Sequence, residues 1–261
     1  GSRRSHSTLT ALASATHAWG TALAPLAEGG RSADCLAVAS FDYSSAFDTV
    51  SPDTVIRSLR RLGCGAGTLE WFRSYMTGGR QAVVWNSATS AMRPVPYGVR
   101  QGSILGPALF SIVTRLFPEA VGESAVVYVD DTSAWSEGTV EAATASLGRK
   151  CDGLAKQAGE LELVLNAEKT QLLICGPGAR SRPPGDLGVT TAESTLRPAK
   201  NLVLLGLSLD DRLSPAPGLA RLKGSLAGLA GTAIRTRPHL PPDVHLMMVQ
   251  ALVNGTTGAL A

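Results

Sequence analysis

Two adjacent aspartates, Asp130 and Asp131, follow directly on a run of strand-forming residues, and this pair restricts the fold more than any other feature. The run AVVYV, residues 125–129, is rich in the β-branched and aromatic side chains that favour strands. Two neighbouring carboxylates beside an apolar strand are costly to bury unless a cation neutralises them. The pair therefore predicts a tight turn between two strands, with a cation close to it.

The elements around this turn follow the order of a split βαβ fold. With residues 51–100 set aside as an insertion, the sequence predicts strand, helix, strand, strand, helix, strand, which is an α+β, ferredoxin-like antiparallel sheet with packed helices. Alternating steps of three and four between apolar residues predict the second helix. The predicted strands are 35–41, 125–129, 132–136 and 170–175, and the predicted helices are 106–117 and about 140–161.

This topology is expected to bring three carboxylates together. A right-handed crossover makes the first and second strands parallel and places the third, antiparallel, between them. The end of the first strand, at Asp42, then lies at the same sheet edge as the turn that contains Asp130 and Asp131. Carboxylates without His or Cys are hard oxygen ligands that suit Mg²⁺ or Mn²⁺. Two such ions, about 3.5–4 Å apart, would serve nucleotidyl transfer. The alternative is a polar turn at 130–131 and a helix cap at Asp42.

Composition narrows the partners and the compartment. The net charge of +3 over 261 residues permits a polyanionic partner without requiring one. The four cysteines are far apart and form no CxxC pair, which indicates core residues in a reducing compartment rather than a zinc site. No apolar run approaches the ~20 residues of a membrane span, and the N-terminal stretch is too interrupted for a signal peptide. We expect an intracellular protein of the nucleus or cytoplasm with no membrane partner; its oligomeric state is unknown from the sequence.

The insertion carries its own local signals. Ser51 and Pro52 predict the start of a helix, as N-cap and first helical residue, and Gly63 predicts its end. GTLEWFRSYMTG predicts a second helix, and RQAVVWNSATSAMRPVPYG predicts a hairpin. The Pro/Gly-rich run 176–186 predicts a loop, the run 201–210 predicts a strand, and two helical segments are expected over 215–261.

Five segments occur in the order found in reverse transcriptases, and they most resemble those of non-LTR retrotransposons. They are FDYSSAFDTV, GVRQGSILGPALF, YVDD, LNAEKTQLL and LLGLSLD. The resemblance implies a polymerase palm and an RNA-directed DNA polymerase, a nucleotidyltransferase. Its implied partners are an RNA template, a DNA primer and a dNTP, and its implied cofactor is a pair of Mg²⁺ ions, with Mn²⁺ possible.

The resemblance also implies catalytic roles. Asp42, Asp130 and Asp131 match the metal-binding aspartates of the family. Tyr43 would offer its backbone carbonyl to one ion. Lys169 matches a lysine that is proposed to protonate the leaving pyrophosphate, and the alternative is a solvated surface lysine.

Further residues match the parts of the family that hold substrate. Phe47 matches the residue beneath the sugar of the incoming nucleotide, and the alternative is a plain core residue. Gln101 and Gly102 match the motif that lines nucleotide and template, or they form only a loop before a helix. Leu205 and Gly206 fall in the turn of the primer grip.

The implied domains are a helical remnant of the fingers–palm junction at 1–34, the palm at 35–210 and the start of a helical thumb at 211–261. The finger strands of the family precede the point where this chain begins, and Arg100 stands where the family usually has proline. Because a fold does not guarantee a function, the rival interpretation is a catalytically inactive relic or nucleic-acid-binding module that keeps the palm fold.

Overall fold

The structure is a computed structural model of the chain. It describes residues 7–24, 33–43, 46–99, 102–122, 124–129, 131–166, 168–239 and 241–257. The helices are α1 (Thr8–Leu23), α2 (Ala46–Thr49), α3 (Pro52–Arg61), α4 (Ala66–Met76), α5 (Gly106–Val113), α6 (Phe117–Val121), α7 (Val140–Glu160), α8 (Pro177–Arg180), α9 (Ala216–Thr236) and α10 (Pro242–Thr257). The strands are β1 (Cys35–Phe41), β2 (Gly79–Gln81), β3 (Val84–Trp85), β4 (Ala88–Thr89), β5 (Arg93–Val95), β6 (Ala125–Tyr128), β7 (Asp131–Gly138), β8 (Gln171–Cys175), β9 (Val189–Thr190), β10 (Thr195–Leu196), β11 (Asn201–Leu204) and β12 (Leu207–Asp210).

A four-stranded sheet has the strand order β6-β7-β1-β8. In chain order the strands of this sheet are β1, β6, β7 and β8. The third of them, β7, lies between β1 and β6, as the right-handed crossover predicts. On its other edge β1 pairs antiparallel with β8, in a register that runs from Leu36–Cys175 to Ser40–Gln171. The predicted split βαβ order is therefore confirmed.

The long helix α7 confirms its predicted periodicity. Since residues three and four apart share a helix face, a stripe at these steps can be buried while the opposite face stays in solvent. The buried stripe and its continuation just past the helix are Val140, Ala143, Leu147, Cys151, Leu154, Ala158 and Leu161.

The insertion also follows its local signals. The Ser51 hydroxyl accepts a hydrogen bond from the Thr54 N–H at 3.1 Å, and Pro52 is the first residue of α3. Gly63 follows the helix with φ +83°, a conformation that glycine adopts without a Cβ penalty. The second helix is α4, and the predicted hairpin consists of the pairs β2–β5 and β3–β4.

Four details differ from the predictions. The single helix expected over 106–117 is divided by a 3₁₀ turn at Thr114–Leu116, because Pro118 has no N–H to continue the α-helical ladder. The segment 201–210 forms the hairpin β11–β12 instead of one strand. The expected loop over 176–186 contains α8 and a 3₁₀ turn, and the short pair β9–β10 had no sequence signal.

The chain divides into two compact units. The described residues of Phe41–Thr132 and Arg149–Thr170 form the first, and those of Ser5–Ser40, Ser133–Gly148 and Gln171–Ala261 form the second. In the first unit α3 packs on α4 and α5. In the second unit the Trp19 ring packs edge-on against Trp135, with centroids 5.9 Å apart. None of the helices in the described ranges is both long and apolar enough to cross a membrane.

The reactivity of the cysteine thiols tests which of them are buried in the core. Burial raises the pKa of the Cys35 thiol to about 11 and those of Cys151 and Cys175 to about 12. Since the thiolate is the reactive form, we expect a thiol reagent at pH 8 to modify half-buried Cys64 first, and the other three only when the chain unfolds in urea. Mass spectrometry after timed labelling measures this order. Rapid labelling of Cys35 or Cys175 in the native chain would contradict the β1–β8 pairing.

Candidate active site

Asp42 follows the last residue of β1 and combines an exposed side chain with one enclosed oxygen. Its Oδ2 is buried and makes no hydrogen bond, although the side chain as a whole is 43% exposed. Its backbone carbonyl accepts a hydrogen bond from the Asn166 N–H at 2.8 Å. A buried carboxylate oxygen without a hydrogen-bond donor calls for a cationic ligand.

The pairing of β7 with β1 brings Asp42 and Asp131 to the same end of the strand pair. The Ser133 hydroxyl donates to the Ser40 hydroxyl at 3.1 Å, and near the other ends of the strands the Asp34 N–H donates to the Gly138 carbonyl at 3.1 Å. From the first contact to the second, the residue number rises on β7, from Ser133 to Gly138, and falls on β1, from Ser40 to Asp34. The two strands are therefore antiparallel. Asp42 follows the end of β1 and Asp131 begins β7, so both lie toward the same end of this strand pair.

The turn that precedes β7 is strained. Val129 has φ +60°, which is a genuine outlier for a β-branched residue. Such strain persists only where the surroundings enforce it, and it clusters at functional sites. Asp131 is exposed at the first position of β7. Asp130 lies outside the described residues, so the convergence of all three carboxylates stays a prediction.

Lys169 lies beside Asp42. Its Nζ is 3.6 Å from the Asp42 Oδ2, and the Lys169 side chain is 68% exposed. Because water screens an ion pair this exposed, the pair contributes no more than about 1 kcal/mol to stability. The contact therefore matters more for placing a cation at the carboxylate than for holding the fold together.

Tyr43 is buried and packs against α6. Its ring stacks on Phe117 with centroids 5.4 Å apart and planes 18° apart. Burial raises the pKa of the phenol above its usual range, and the neighbouring Thr132 hydroxyl opposes that rise. Leu165 forms an isolated antiparallel bridge with Tyr43. The backbone after β1 is thus held by a ring stack and by a strand-like contact.

Phe47 combines features of a core residue and of a surface residue. Its ring stacks on Phe110 of α5, with centroids 4.5 Å apart and planes 19° apart, and Phe110 is fully buried. Phe47 itself is only half-buried. One face of the ring is therefore fixed by the core while part of the ring stays accessible, as a substrate-facing residue requires.

The segment that leads to Gly102 is attached to the helix of Phe47. The Val99 N–H donates to the Phe47 carbonyl at 2.7 Å, and the Gly98 N–H donates to the Val50 carbonyl at 2.9 Å. Gly98 has φ +98°, and a Cβ there would lie 3.2 Å from the Asp48 backbone. Only glycine permits this close approach. Gly102 is exposed, and Gln101 lies outside the described residues.

The proposed primer-grip residues occupy a tight hairpin turn in the second unit. Leu205 and Gly206 have φ +47° and +86°, and they join Leu204 to its register partner Leu207. Positive φ at both central residues is the pattern of a type I′ turn, whose twist matches that of the strands. Leucine is unusual at such a position, so the backbone here is strained in the same sense as at Val129.

A cleft of about 500 Å³ opens in the first unit, between α2 and the hairpin β2–β5. Its polar lining includes Arg80, Gln81 and Tyr97, and Gly98 and Asp48 form part of its wall. The cleft therefore adjoins the helix of Phe47 and the segment that leads to Gly102.

The residues at the end of β1 fit a hard divalent cation. Among the described residues no three His, Cys, Asp or Glu side chains are grouped closely enough to hold a metal ion. The Asp42 carboxylate, whose buried Oδ2 makes no hydrogen bond and lies 3.6 Å from the Lys169 ammonium, and Asp131 nevertheless supply oxygen donors of the kind that Mg²⁺ and Mn²⁺ prefer.

Sequence reasoning missed three residues that support this site: Asn166, Gly98 and Phe110. Asn166 stands three residues before Lys169, a spacing typical of side-chain caps, so a local signal existed for it. Nothing local marks Gly98 or Phe110, since their contacts join segments far apart in the chain.

Comparisons with known proteins support the same family that the sequence motifs resemble. A family model described as reverse transcriptase (RNA-dependent DNA polymerase) matches residues 4–209. A 115 kDa protein in the type-1 retrotransposable element R1DM of Drosophila melanogaster is 27% identical over 74% of this chain, which covers 19% of that protein. The RNA-directed DNA polymerase from the mobile element jockey of Drosophila funebris is 28% identical over 66% of this chain and 19% of that polymerase. The chain thus spans about a fifth of the length of these relatives.

A solved structure shares the fold. Telomerase from Candida tropicalis, in complex with the TWJ fragment of telomeric RNA, superposes with a TM-score of 0.52 at 13% sequence identity. The match covers 81% of this chain and 34% of the telomerase chain. At this identity the similarity supports the α+β palm architecture alone.

Substitution at Gly98 tests the attachment of this segment to α2. We expect Gly98→Ala to lower the free energy of unfolding by roughly 1–3 kcal/mol, because the positive φ and the close Asp48 backbone both disfavour a Cβ. Gly67→Ala is the matched control: it lies in α4 with nothing within 4 Å of a Cβ, so we expect a gain of about 0.4–1 kcal/mol. Urea unfolding measures both, and equal stability of the two variants would contradict the close approach.

Proposed function

Because this chain belongs to the reverse transcriptase (RNA-dependent DNA polymerase) family, we propose that it carries out RNA-directed DNA synthesis at the end of β1. The match over residues 4–209 and the retrotransposon relatives confirm the resemblance to the non-LTR type. The observation that carries the proposal is the Asp42 carboxylate, which has a buried oxygen without a hydrogen bond, lies 3.6 Å from the Lys169 ammonium, and follows the strand next to the one that Asp131 begins. In the reaction the primer 3′-oxygen forms a bond to the α-phosphorus of a dNTP, and pyrophosphate leaves with the electrons of the broken P–O bond.

The family is generally dependent on divalent metal, and the three aspartates would hold the ions. Asp42, Asp130 and Asp131 are the proposed ligands, with the Tyr43 carbonyl as a further oxygen donor. When bound, two Mg²⁺ ions, or Mn²⁺, would activate the attacking oxygen and neutralise the charge that develops on the phosphates. The stacked Tyr43 ring and the strand pairing hold the ligand backbones in place, and a two-metal reaction depends on that positioning.

Lys169 would act at the leaving group. The Lys169 ammonium lies 3.6 Å from Asp42, a proposed metal ligand, and would therefore meet the phosphates of a dNTP bound there. Its proton would pass to a pyrophosphate oxygen as the P–O bond breaks, which is general acid catalysis.

Phe47 would select the sugar. A nucleotide whose phosphates lie at Asp42 would place its ribose over the accessible part of the ring that Phe110 backs. The 2′-hydroxyl is the only group that distinguishes an rNTP from the matching dNTP, and a flat ring offers it neither room nor a hydrogen bond. Gln101 and Gly102 would line the nucleotide and template on the segment that Gly98 anchors.

The nucleic-acid partners follow from the same assignment. The cleft beside α2 offers Arg80 and Tyr97, and the neighbouring hairpin exposes Arg93 and Trp85. Cationic and aromatic side chains together suit a single-stranded phosphate backbone with stacking bases, so this surface is the proposed path of the RNA template. The DNA primer would reach the turn at Leu205 and Gly206. In this assignment residues 1–34 are a helical remnant, 35–210 the palm and 211–261 the start of a thumb.

Loss of one aspartate should separate catalysis from binding. We expect Asp130→Ala to reduce primer extension on an RNA template by roughly 10²-fold or more, since it removes electrostatic stabilisation of the transition state. Asp53→Ala is the control, because this exposed carboxylate pairs only with Arg73 among the described contacts. The assay supplies dNTPs with Mg²⁺ or Mn²⁺, to the chain alone and to the chain joined to the finger strands of a related polymerase.

The result also decides between the two candidate functions. Extension by either form that Asp130→Ala abolishes and Asp53→Ala spares supports the polymerase. Binding of primer–template without extension in both forms would overturn it in favour of a non-catalytic nucleic-acid-binding module.

Phe47→Ala tests sugar selection. We expect it to raise the ratio of rNTP to dNTP incorporation, because the smaller side chain makes room for the 2′-hydroxyl. The loss of stability should stay below the ~3–5 kcal/mol of a fully buried ring, since Phe47 is only half-buried. Phe72→Ala is the control, a half-buried ring of α4 outside the proposed site. The measurement is single-nucleotide incorporation with each substrate, and equal losses with both would leave Phe47 as a core residue only.

A further inference from the structure

Asn166 makes hydrogen bonds with both Asp42 and Lys169, the two residues that the proposed reaction requires to lie close together. Its backbone N–H donates to the Asp42 carbonyl at 2.8 Å. Its side-chain Oδ1 accepts a hydrogen bond from the Lys169 N–H at 3.2 Å. Asn166 therefore contacts the backbone of Asp42, whose carboxylate pairs with the ammonium, and the backbone of Lys169, which carries that ammonium.

The turn around Asn166 is closed by further hydrogen bonds. The Asn166 carbonyl accepts from the N–H groups of Lys169, at 3.2 Å, and Thr170, at 2.9 Å, and from the Thr170 hydroxyl at 2.9 Å. The residue before it, Leu165, bridges to Tyr43. The turn is thus attached to the segment that follows β1, and the Asn166 side chain caps it from inside.

This capping matters because of the length of lysine. The Lys169 side chain is 68% exposed, and its flexible four-carbon stem loses rotamer entropy when it is held in one position. Because water screens an ion pair between exposed groups, the attraction to Asp42 does not hold the ammonium by itself. The backbone of Lys169 must therefore be fixed within reach of the Asp42 carboxylate.

We propose that Asn166 is the positioning residue that holds Lys169 over Asp42, an inference that rests on the proposed polymerase function. A short side chain with an acceptor oxygen is required, since it must reach the N–H three residues later. Serine meets this requirement as well as asparagine, whereas alanine leaves the Lys169 N–H only the backbone carbonyl of residue 166. Asn166 itself does not touch substrate; it acts through Lys169.

Kinetics of single-nucleotide incorporation test the role. We expect Asn166→Ala to lower kcat by about 10-fold, a part of the 10²–10⁴-fold that a general acid contributes, while KM for dNTP changes less than about twofold. Asn166→Ser should restore at least half of the wild-type kcat. Thr170→Val is the matched control, because it removes a hydrogen bond of the same turn but leaves the acceptor for the Lys169 N–H.

A double-mutant cycle separates positioning from general loss of structure. If Asn166 acts through Lys169, Asn166→Ala should have no further effect on kcat once Lys169→Ala is present. The inference is wrong if the effects of Asn166→Ala and Lys169→Ala on kcat are fully additive, if Asn166→Ser fails to restore kcat, or if Thr170→Val loses as much kcat as Asn166→Ala. Thermal unfolding of each variant checks that the fold is intact. None of these outcomes contradicts the proposed function. If the wild-type chain incorporates no dNTP, either alone or joined to the finger strands of a related polymerase, the proposed function and this inference are both wrong.

Discussion

The antiparallel alignment of β7 along β1 is the constraint on which the rest of the site depends. Hydrogen bonds at Ser40–Ser133 and at Asp34–Gly138 hold the two strands antiparallel, so the end of β1 at Asp42 and the start of β7 at Asp131 lie toward the same end of the pair. A slip by one residue would turn every side chain of β7 to the other face and would remove Asp131 from its place. The buried residues of β1 and β7 hold the alignment, because they lose their packing if either strand moves.

The acidic residues do not hold themselves in place. Neighbouring carboxylates repel each other, so other contacts of the scaffold must fix the backbone around them. Two ring stacks do this for the segment after β1: Tyr43 lies on Phe117, and Phe47 lies on Phe110. The hydrogen bonds at Gly98 and Asn166 add the segments that precede Gly102 and contain Lys169. Each support is a backbone contact or an apolar contact, which does not change its charge when substrate or metal binds.

Family membership and activity rest on different observations in this chain. The family follows from a match over residues 4–209, and the fold agrees with that of a telomerase. The activity depends on the geometry at Asp42 and its neighbours, since one fold can host many functions. The chain also spans about a fifth of the length of its retrotransposon relatives. The strain at Val129 and Leu205 is consistent with functional turns, because strain without function is rarely retained.

Local periodicity was enough to predict the regular elements that are long. The stripe of α7, the cap at Ser51 and the strand order around β1 all follow from helix and strand geometry and from the handedness of the crossover. Adjacent aspartates after a strand were enough to predict a site. Short elements escaped prediction, because the two residues of β9 or β10 cannot display an alternation.

Tertiary structure alone decided how the site is supported. Phe110 beneath Phe47, Gly98 against Asp48 and the Asn166 N–H on the Asp42 carbonyl each join positions that are distant in sequence. Helix and strand periods describe neighbours along one element, and they carry no information about which distant backbone will lie within 3 Å. The sequence by itself determined the fold class, the candidate acidic residues and the family; the three-dimensional packing determined that a half-buried ring, a glycine and an asparagine hold those residues in place.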